Sequence, residues 1–207
     1  MYNAFHCSPL EGFILSEIDN TCCAWAQKSP MLRAYHDVLW APRTIPRSDV
    51  LFEILILETM QSGLSWSTVL AKKENIENAL FGFDAELMST MTDDYIENTL
   101  MNDEGIIRNR SKLNGARQNA KAWLELENPR DFLLSFIGGH KIINDWRYPE
   151  LVPSETEQSI AMSKALKSKG FVHIGPKVAY AFMQAAGFVN DHTTNCHHHP
   201  FHPDHKR

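Results

Sequence analysis

The sequence predicts an all-α domain. Apolar residues recur at three- and four-residue spacing through almost every periodic segment. Few runs alternate as half-buried strands do, and glycine or proline marks most segment ends. From Ser48, a good N-cap before Asp49, the apolar residues Val50, Leu51, Ile54 and Leu55 repeat until Gly63 interrupts. Ser65 caps a second helix through Val69, Leu70, Ile76 and Leu80. Asp84 can cap a short helix carrying Leu87, Met88 and Met91, and another follows around Tyr95 to Leu100. A longer helix runs from about Asn109 to Leu126 and stops before Pro129. Phe132, Leu133 and Phe136 predict a further short helix, ended by Gly138 and Gly139. The stretch from Gly139 to Ser159, with Pro149 and Pro153, reads as a loop. Ser159 to Lys169 is helical again, with Gly170 as its C-cap. Phe171 to Gly175 is a turn, Pro176 suits the first position of the next helix, and that helix ends at Gly187.

A length of 207 residues suits one compact domain, or one domain with a small lobe. With 43% hydrophobic and 22% charged residues, the chain can bury a substantial core and lacks the composition of disorder. Cys7, Cys22, Cys23 and Cys196 form no regular disulfide framework. Met1 to Glu17 lacks the basic start and continuous apolar run of a signal peptide, and no segment is long and apolar enough to cross a membrane. A reduced, cytoplasmic protein is expected, in which thiols serve as ligands or stay inert. The formal charge of −5 gives no global support for a nucleic-acid partner. Two local basic clusters exist: Arg108, Arg110, Lys112, Arg117 and Lys121, then Lys164, Lys167, Lys169 and Lys177. Each taken alone reads as a solvated helix face.

Three features carry chemistry. The first is Lys169-Gly-Phe-Val-His-Ile-Gly-Pro-Lys177, in which a short turn between Gly170 and Gly175 separates two helices, as in a helix-hairpin-helix unit. Its glycines let backbone approach a phosphate, and amides at the second helix start can donate to it. Spacing alone favours an ordinary αα-hairpin. The second is Glu58, three and four residues beyond Leu55 and Ile54 and hence on their apolar face. A carboxylate there loses hydration, and its pKa tends upward unless a partner is supplied. It either snorkels outward or pairs with a lysine, or it accepts from a buried polar ligand, with Tyr35 and Trp66, and also Trp25 and Trp40, as aromatic walls.

The third is a split set of two thiols and two imidazoles, Cys23 with His36 and His192 with Cys196, the composition of a structural tetrahedral zinc site. One ion bound by all four would pin the two ends of the domain together. The separation of Cys23 from His36 matches no standard finger, and Cys22, His197, His198 and His199 are rival ligands. The His-rich end can also bind metal nonspecifically, and each of the four can instead be an ordinary core residue.

Taken together, these residues resemble the DNA-3-methyladenine glycosylase I family, members of the helix-hairpin-helix DNA glycosylase superfamily. The matching phrases are Cys23-Ala-Trp25, Tyr35-His36-Asp37, Leu51-Phe52-Glu53, Leu57-Glu58, Gly63-Leu-Ser-Trp66 and Gly105-Ile-Ile-Arg108. They continue with Ser163 to Lys167, Gly170-Phe171, Gly175, Phe182-Met-Gln184 and Val189-Asn-Asp-His192, in order from about Thr21 to Cys196. The resemblance implies an all-α helix-hairpin-helix glycosylase fold with a zinc site joining its N- and C-terminal segments. It divides the chain into an N-terminal extension (1–20), a glycosylase domain (21–197) and a His-rich tail (198–207).

The resemblance also implies one structural zinc ion on Cys23, His36, His192 and Cys196. It makes Glu58 the base-recognition and catalytic carboxylate, with Tyr35 and Trp66 as the other base-binding residues. Gly63 and Leu64 would probe the duplex where the base leaves the stack, and Gly170, Gly175 and Lys177 would contact DNA. The implied activity is hydrolysis of the N-glycosidic bond of 3-methyladenine in alkylated double-stranded DNA, leaving an abasic site. The protein would act as a monomer, with no membrane partner.

Departures from the family pattern are Ala41 where glycine is usual, Thr59-Met60, the His-rich neighbourhood of Cys196, and Lys177 where threonine is common. A lysine near this turn attacks the sugar in bifunctional helix-hairpin-helix enzymes, so added lyase activity through Lys177 is one alternative. Another damaged-base preference is a second. A zinc-stabilised DNA-binding module without catalysis is a third.

Overall fold

A computed structural model describes residues 21–202 and His205. Cys7 and the expected N-terminal extension lie outside the described residues. Nine α-helices are present among those described: α1 (Pro30–Val38), α2 (Ser48–Gln61), α3 (Trp66–Ala71), α4 (Lys73–Ala79), α5 (Ala85–Ser89), α6 (Arg110–Leu124), α7 (Pro129–Leu134), α8 (Glu157–Ser168) and α9 (Pro176–Ala185). Short 3-10 turns join several of them. Two minimal strands, β1 (Ile142–Ile143) and β2 (Val189–Asn190), pair in parallel with Ile142 opposite Val189 and Ile143 opposite Asn190. This pair is a local exception to the all-α expectation. It exists because the α8–α9 hairpin returns the chain beside its own approach, which is what a parallel pair requires.

Helix α2 is the hub, packing against α3, α6, α7 and α9. Leu51, Phe52, Leu55, Ile56, Leu57, Glu58, Thr59 and Met60 are all buried. The segment is therefore enclosed nearly all round rather than amphipathic, and the expectation of a single apolar face bearing Glu58 is too narrow.

Most caps follow the sequence reading. Ser65, Asp84 and Asn109 accept from Thr68, Leu87 and Lys112 backbone N–H groups at 3.1, 3.0 and 3.1 Å. Other boundaries move. Ser48 is the first helical residue instead of the cap, and extended Arg47 precedes it. The single helix expected from Ser65 to Leu80 is broken at Lys72, which has φ −110° and ψ 3°. Around Tyr95 the chain forms a π-helical turn, Tyr95–Thr99, continued by a 3-10 turn over Leu100–Asn102. Leu87 is exposed, so only Met88 and Met91 of its trio reach the core.

Between Gly139 and Ser159, the expected loop also holds β1, a 3-10 turn at Pro149–Leu151 and the first turn of α8. That helix is capped by Thr156 and Ser159 reciprocally. Helix α1 adds to the helices that periodicity predicts, and its start signal is local: Ser29 caps it and Pro30 takes its first position.

The α8–α9 hairpin is built by a Schellman motif. Gly170, at φ +91°, donates to the Lys167 carbonyl at 3.0 Å, and Phe171 donates to Leu166 at 3.1 Å. Lys169 is thus the C-cap, and Gly170 the left-handed residue after it. Buried Asn119 of α6 holds the turn by accepting from the Val172 N–H at 2.8 Å and donating to the Val172 carbonyl at 3.1 Å. The same motif ends α9, where Gly187 donates to Gln184 and Phe188 to Met183. Gly187 has φ +72°, and a Cβ there would lie 2.7 Å from the Pro42 carbonyl oxygen. Gly187→Ala meets both a left-handed backbone and a backbone clash, so we expect a loss of about 1–3 kcal/mol, read as a lower urea midpoint at unchanged m-value.

Candidate active site and metal cluster

The sequence places aromatic residues at the ends of separate segments, and the fold gathers them. Tyr35 comes from α1, Trp66 from the first position of α3, Trp25 from a 3-10 turn (Ala24–Lys28) and Trp40 from the segment after α1. With Glu58 near the end of α2 they line a cavity of about 370 Å³, within the range of small-ligand pockets. Val152 and Gln184 also line it. The Tyr35 and Trp66 rings lie 5.1 Å apart, and Trp25 meets Trp40 edge-on at 5.0 Å. The cavity thus offers flat apolar surfaces at several angles.

Glu58 is the polar anomaly inside it. Only 5% of the residue is exposed, and no described residue makes a hydrogen bond to its carboxylate. Burial pushes its pKa from 4.5 up to about 8. Tyr35 is raised as well, by burial and then by the Glu58 charge, so its hydroxyl keeps its proton. The indole N–H of Trp66 is buried without a partner among the described residues. An acceptor and a donor both lacking partners in an apolar cavity suit a polar ligand supplied from outside.

The second carboxylate lining the cavity is fully used. Asp191 Oδ1 accepts from Asn144 and Trp146, each at 2.7 Å. Its Oδ2 accepts from the Tyr180 hydroxyl at 2.6 Å and the Gln184 amide at 2.7 Å. Burial, then Asp191, raises the Tyr180 hydroxyl far above its ordinary range. Asp191 therefore fastens the segment after β1, α9 and the segment leading to His192, leaving Glu58 as the cavity's available acid. The sequence phrase Asn-Asp-His contained Asp191, but nothing in it indicated four donors from distant segments.

Beside the pocket, the predicted Gly63–Leu64 segment forms a tight turn. Gly63 has φ +79°, and Leu64 is exposed. Gln61, which lines the cavity, donates through its side chain to the Leu64 carbonyl at 2.7 Å. Lys112 of α6 donates to the Met60 and Ser62 carbonyls at 2.7 and 2.6 Å, and burial lowers its pKa. An ammonium on the last carbonyls of α2 also complements the helix dipole. Much of the first basic cluster is thus committed internally, since Arg110 pairs with Glu97, and Arg117 with Asp93 and the Met91 carbonyl.

Gly170 and Gly175 flank the hairpin turn as expected. Lys177 stands exposed in the first turn of α9 and does not line the cavity. The geometry therefore gives no support to a lyase role for Lys177.

The four expected metal ligands converge. Cys23 Sγ, His36 Nε2, His192 Nδ1 and Cys196 Sγ lie within 4.8 Å of one another, and all four residues are buried. His36 and His192 nitrogens are 3.1 Å apart. Cys196 Sγ lies 3.5 and 3.4 Å from them, and Cys23 Sγ lies 3.6 Å from His192. The cluster can hold a metal ion. Of the rival ligands, Cys22 faces the other nitrogen of His36, at 3.8 Å. His199 instead meets the Asn144 carbonyl at 3.0 Å. The second His36 nitrogen lies 2.7 Å from Asp37 Oδ1, an arrangement that orients a metal-bound imidazole. Trp40 packs edge-on against His192 at 4.7 Å, so the cluster borders the aromatic pocket directly.

The sequence matches the methyladenine glycosylase family over residues 25–199. It is 42% identical over 180 residues to a DNA-3-methyladenine glycosylase of Haemophilus influenzae, covering 85% of this chain and 96% of that protein. To DNA-3-methyladenine glycosylase 1 of Escherichia coli it is 39% identical over 180 residues, covering 84% and 94%. Among solved structures, a crystal structure of a 3-methyladenine DNA glycosylase I superposes with a TM-score of 0.83 at 40% identity, covering 86% of this chain and all of that one. A complex of such an enzyme with 3-methyladenine gives 0.82 at 31% identity, covering 86% and 97%.

The isolated carboxylate has a measurable consequence. Between about pH 4.5 and about 8, folded Glu58 holds a proton that the unfolded chain releases. The folded state binds more protons across this window, so the Glu58 contribution to stability is greatest at its acid end and declines as pH rises. Glu58→Gln abolishes that decline. We expect the variant to gain on the wild type toward pH 8 by on the order of a few kcal/mol, measured as the difference between their urea unfolding free energies at each pH.

Proposed function

The chain belongs to the methyladenine glycosylase family, and from that premise we propose that it hydrolyses the N-glycosidic bond of 3-methyladenine in alkylated double-stranded DNA. The observation that carries the reading is Glu58, a carboxylate without a hydrogen-bond partner among the described residues, at an aromatic pocket. A purine methylated at N3 is cationic in its nucleotide, and its glycosidic bond is already weakened. Burying such a cation requires a counter-charge, and Glu58 supplies one where normal adenine would gain less from it. The nucleotide turns out of the stack, and its base enters between Tyr35 and Trp66. Glu58 accepts hydrogen bonds from the adenine edge, and the Trp66 N–H can donate to a base acceptor.

The bond between the sugar carbon and the base nitrogen then breaks. Its electron pair stays on the base, which departs neutral. Water adds to the sugar carbon as it gains oxocarbenium character, and the water's extra proton passes to solvent. The product is an abasic site. No protonation of the leaving group is required, which suits a pocket whose free acid is best kept ionised. We assign Gly63 and Leu64 to the gap the base leaves, with Lys112 fixing their turn. The α8–α9 hairpin, through Gly170, Gly175 and the amides at the start of α9, contacts backbone phosphate, and Lys177 adds charge there.

We further assign Cys23, His36, His192 and Cys196 to one structural zinc ion. Bond lengths of about 2.3 Å to sulfur and 2.0–2.1 Å to nitrogen in a tetrahedron imply donor separations of roughly 3.3–3.8 Å. The observed separations of 3.1–3.6 Å support that fit. A zinc ion held by these four residues would cross-link the N- and C-terminal segments of the domain and would serve structure, all four ligands coming from the protein. His36 then anchors α1, which carries Tyr35 to the pocket.

Base release from methylated duplex DNA tests the activity. The wild type should release 3-methyladenine, with kcat/KM rising with pH toward a limb at about 8 as Glu58 ionises. Glu58→Gln should lose that limb and slow release by roughly 10²-fold. Absence of 3-methyladenine release by the wild type would sink the proposal. Lys177→Ala should retain release, and borohydride should trap no protein–DNA adduct. Cys23→Ala, or chelation of the metal, should lower the thermal unfolding midpoint and reduce activity while leaving the Glu58 limb of the pH profile in place.

A further inference from the structure

Outside the four-ligand cluster, three more donors converge near the protein surface. Asp37 Oδ1 lies 3.3 Å from His198 Nε2 and 3.8 Å from His197 Nε2, and the three donor atoms lie within 4.8 Å of one another. Neighbouring residues of an extended chain point their side chains apart. Here the tail turns, so the His197 and His198 rings stand on the same side with centroids 4.1 Å apart. Both rings aim Nε2 at a single carboxylate oxygen.

The hydrogen bonding of His197 fixes which of its nitrogens is available. His197 Nδ1 lies 2.7 Å from the Thr21 carbonyl, which can only accept, so Nδ1 carries the hydrogen. In the neutral ring, Nε2 then presents a lone pair toward Asp37 Oδ1. Two acceptors thus face one another, an arrangement that a cation between them relieves. The other Asp37 oxygen is occupied by Arg33 Nε at 2.6 Å, and Oδ1 also lies 2.7 Å from His36 Nδ1. The side chains of Asp37, His197 and His198 are 31%, 36% and 28% exposed, so an ion and its waters can enter from solvent.

We propose that Asp37, His197 and His198 form a second metal site, taking a divalent ion that favours imidazole, such as Zn2+, Ni2+ or Cu2+. Two nitrogens and one oxygen leave at least one position to water, so this ion exchanges readily, unlike one held by four buried protein donors. It ties the segment after Cys196 to the C-terminal part of α1, beside the primary cluster. Two of the three donors, His197 and His198, come from the His-rich stretch that sets this chain apart from its family pattern.

Zn2+ titrated calorimetrically into protein already carrying one equivalent tests the proposal, with total metal content checked by elemental analysis. The wild type should bind one further ion. His197→Gln/His198→Gln should lose that event, its affinity falling by more than roughly 100-fold, while keeping the first ion and a wild-type circular dichroism spectrum. His205→Gln should retain both ions. A wild type that takes up no second ion overturns the site, as does a second ion that binds the double variant equally well.

Discussion

Helix α2 is enclosed on nearly every side, and its enclosure governs the rest of the molecule. A helix in that position can bury leucine, isoleucine and phenylalanine without cost, but it also withdraws Glu58 from water. The carboxylate is left with no hydrogen-bond donor among the described residues, and desolvation alone carries its pKa to about 8. Asp191, which lines the same cavity, has four donors and is spent on holding segments together. One pocket therefore contains a satisfied acid and an unsatisfied one. The contrast separates scaffold from chemistry more clearly than residue type does.

The turn beyond α2 is held with similar economy. Lys112 places its ammonium on two carbonyls at the helix end, and the Gln61 side chain bonds the Leu64 carbonyl. On the neighbouring turns of α6, Asn119 secures the hairpin backbone at Val172, and Gly115 leaves room for the His173 ring. A single helix thus positions both the segment beside the pocket and the α8–α9 hairpin. Surface charge in this region mostly reflects internal fastening, which is why the run of basic residues is a poor guide to a nucleic-acid footprint.

The cysteine and histidine cluster works from the opposite side of the pocket. It joins α1 and the preceding turn to the segment after β2, the two described ends of the domain. Trp40 against His192, and Tyr35 beside His36 in the chain, make the cluster's rigidity a property of the pocket wall as well. Asp37 stands between this cluster and the His197–His198 pair, so the histidines of the tail extend a polar network that starts at a buried ligand.

By itself, the sequence determined the helical class, most of the caps, the identities of the cluster residues, and Glu58 with its aromatic neighbours in the pocket. Those features depend on local periodicity, on side chains that bond their own backbone three residues away, and on a set of phrases kept in order. It marked Glu58 as misplaced but read a single apolar face, because periodicity describes one helix and not the helices that surround it. The break at Lys72, the β1–β2 pair, the Asp191 hub, the Lys112 clamp and the convergence of His197 and His198 on Asp37 were decided only by tertiary structure. Each of the contacts among these joins groups distant in the chain, and their energies depend on a spacing and a loss of water that appear only once the elements are packed.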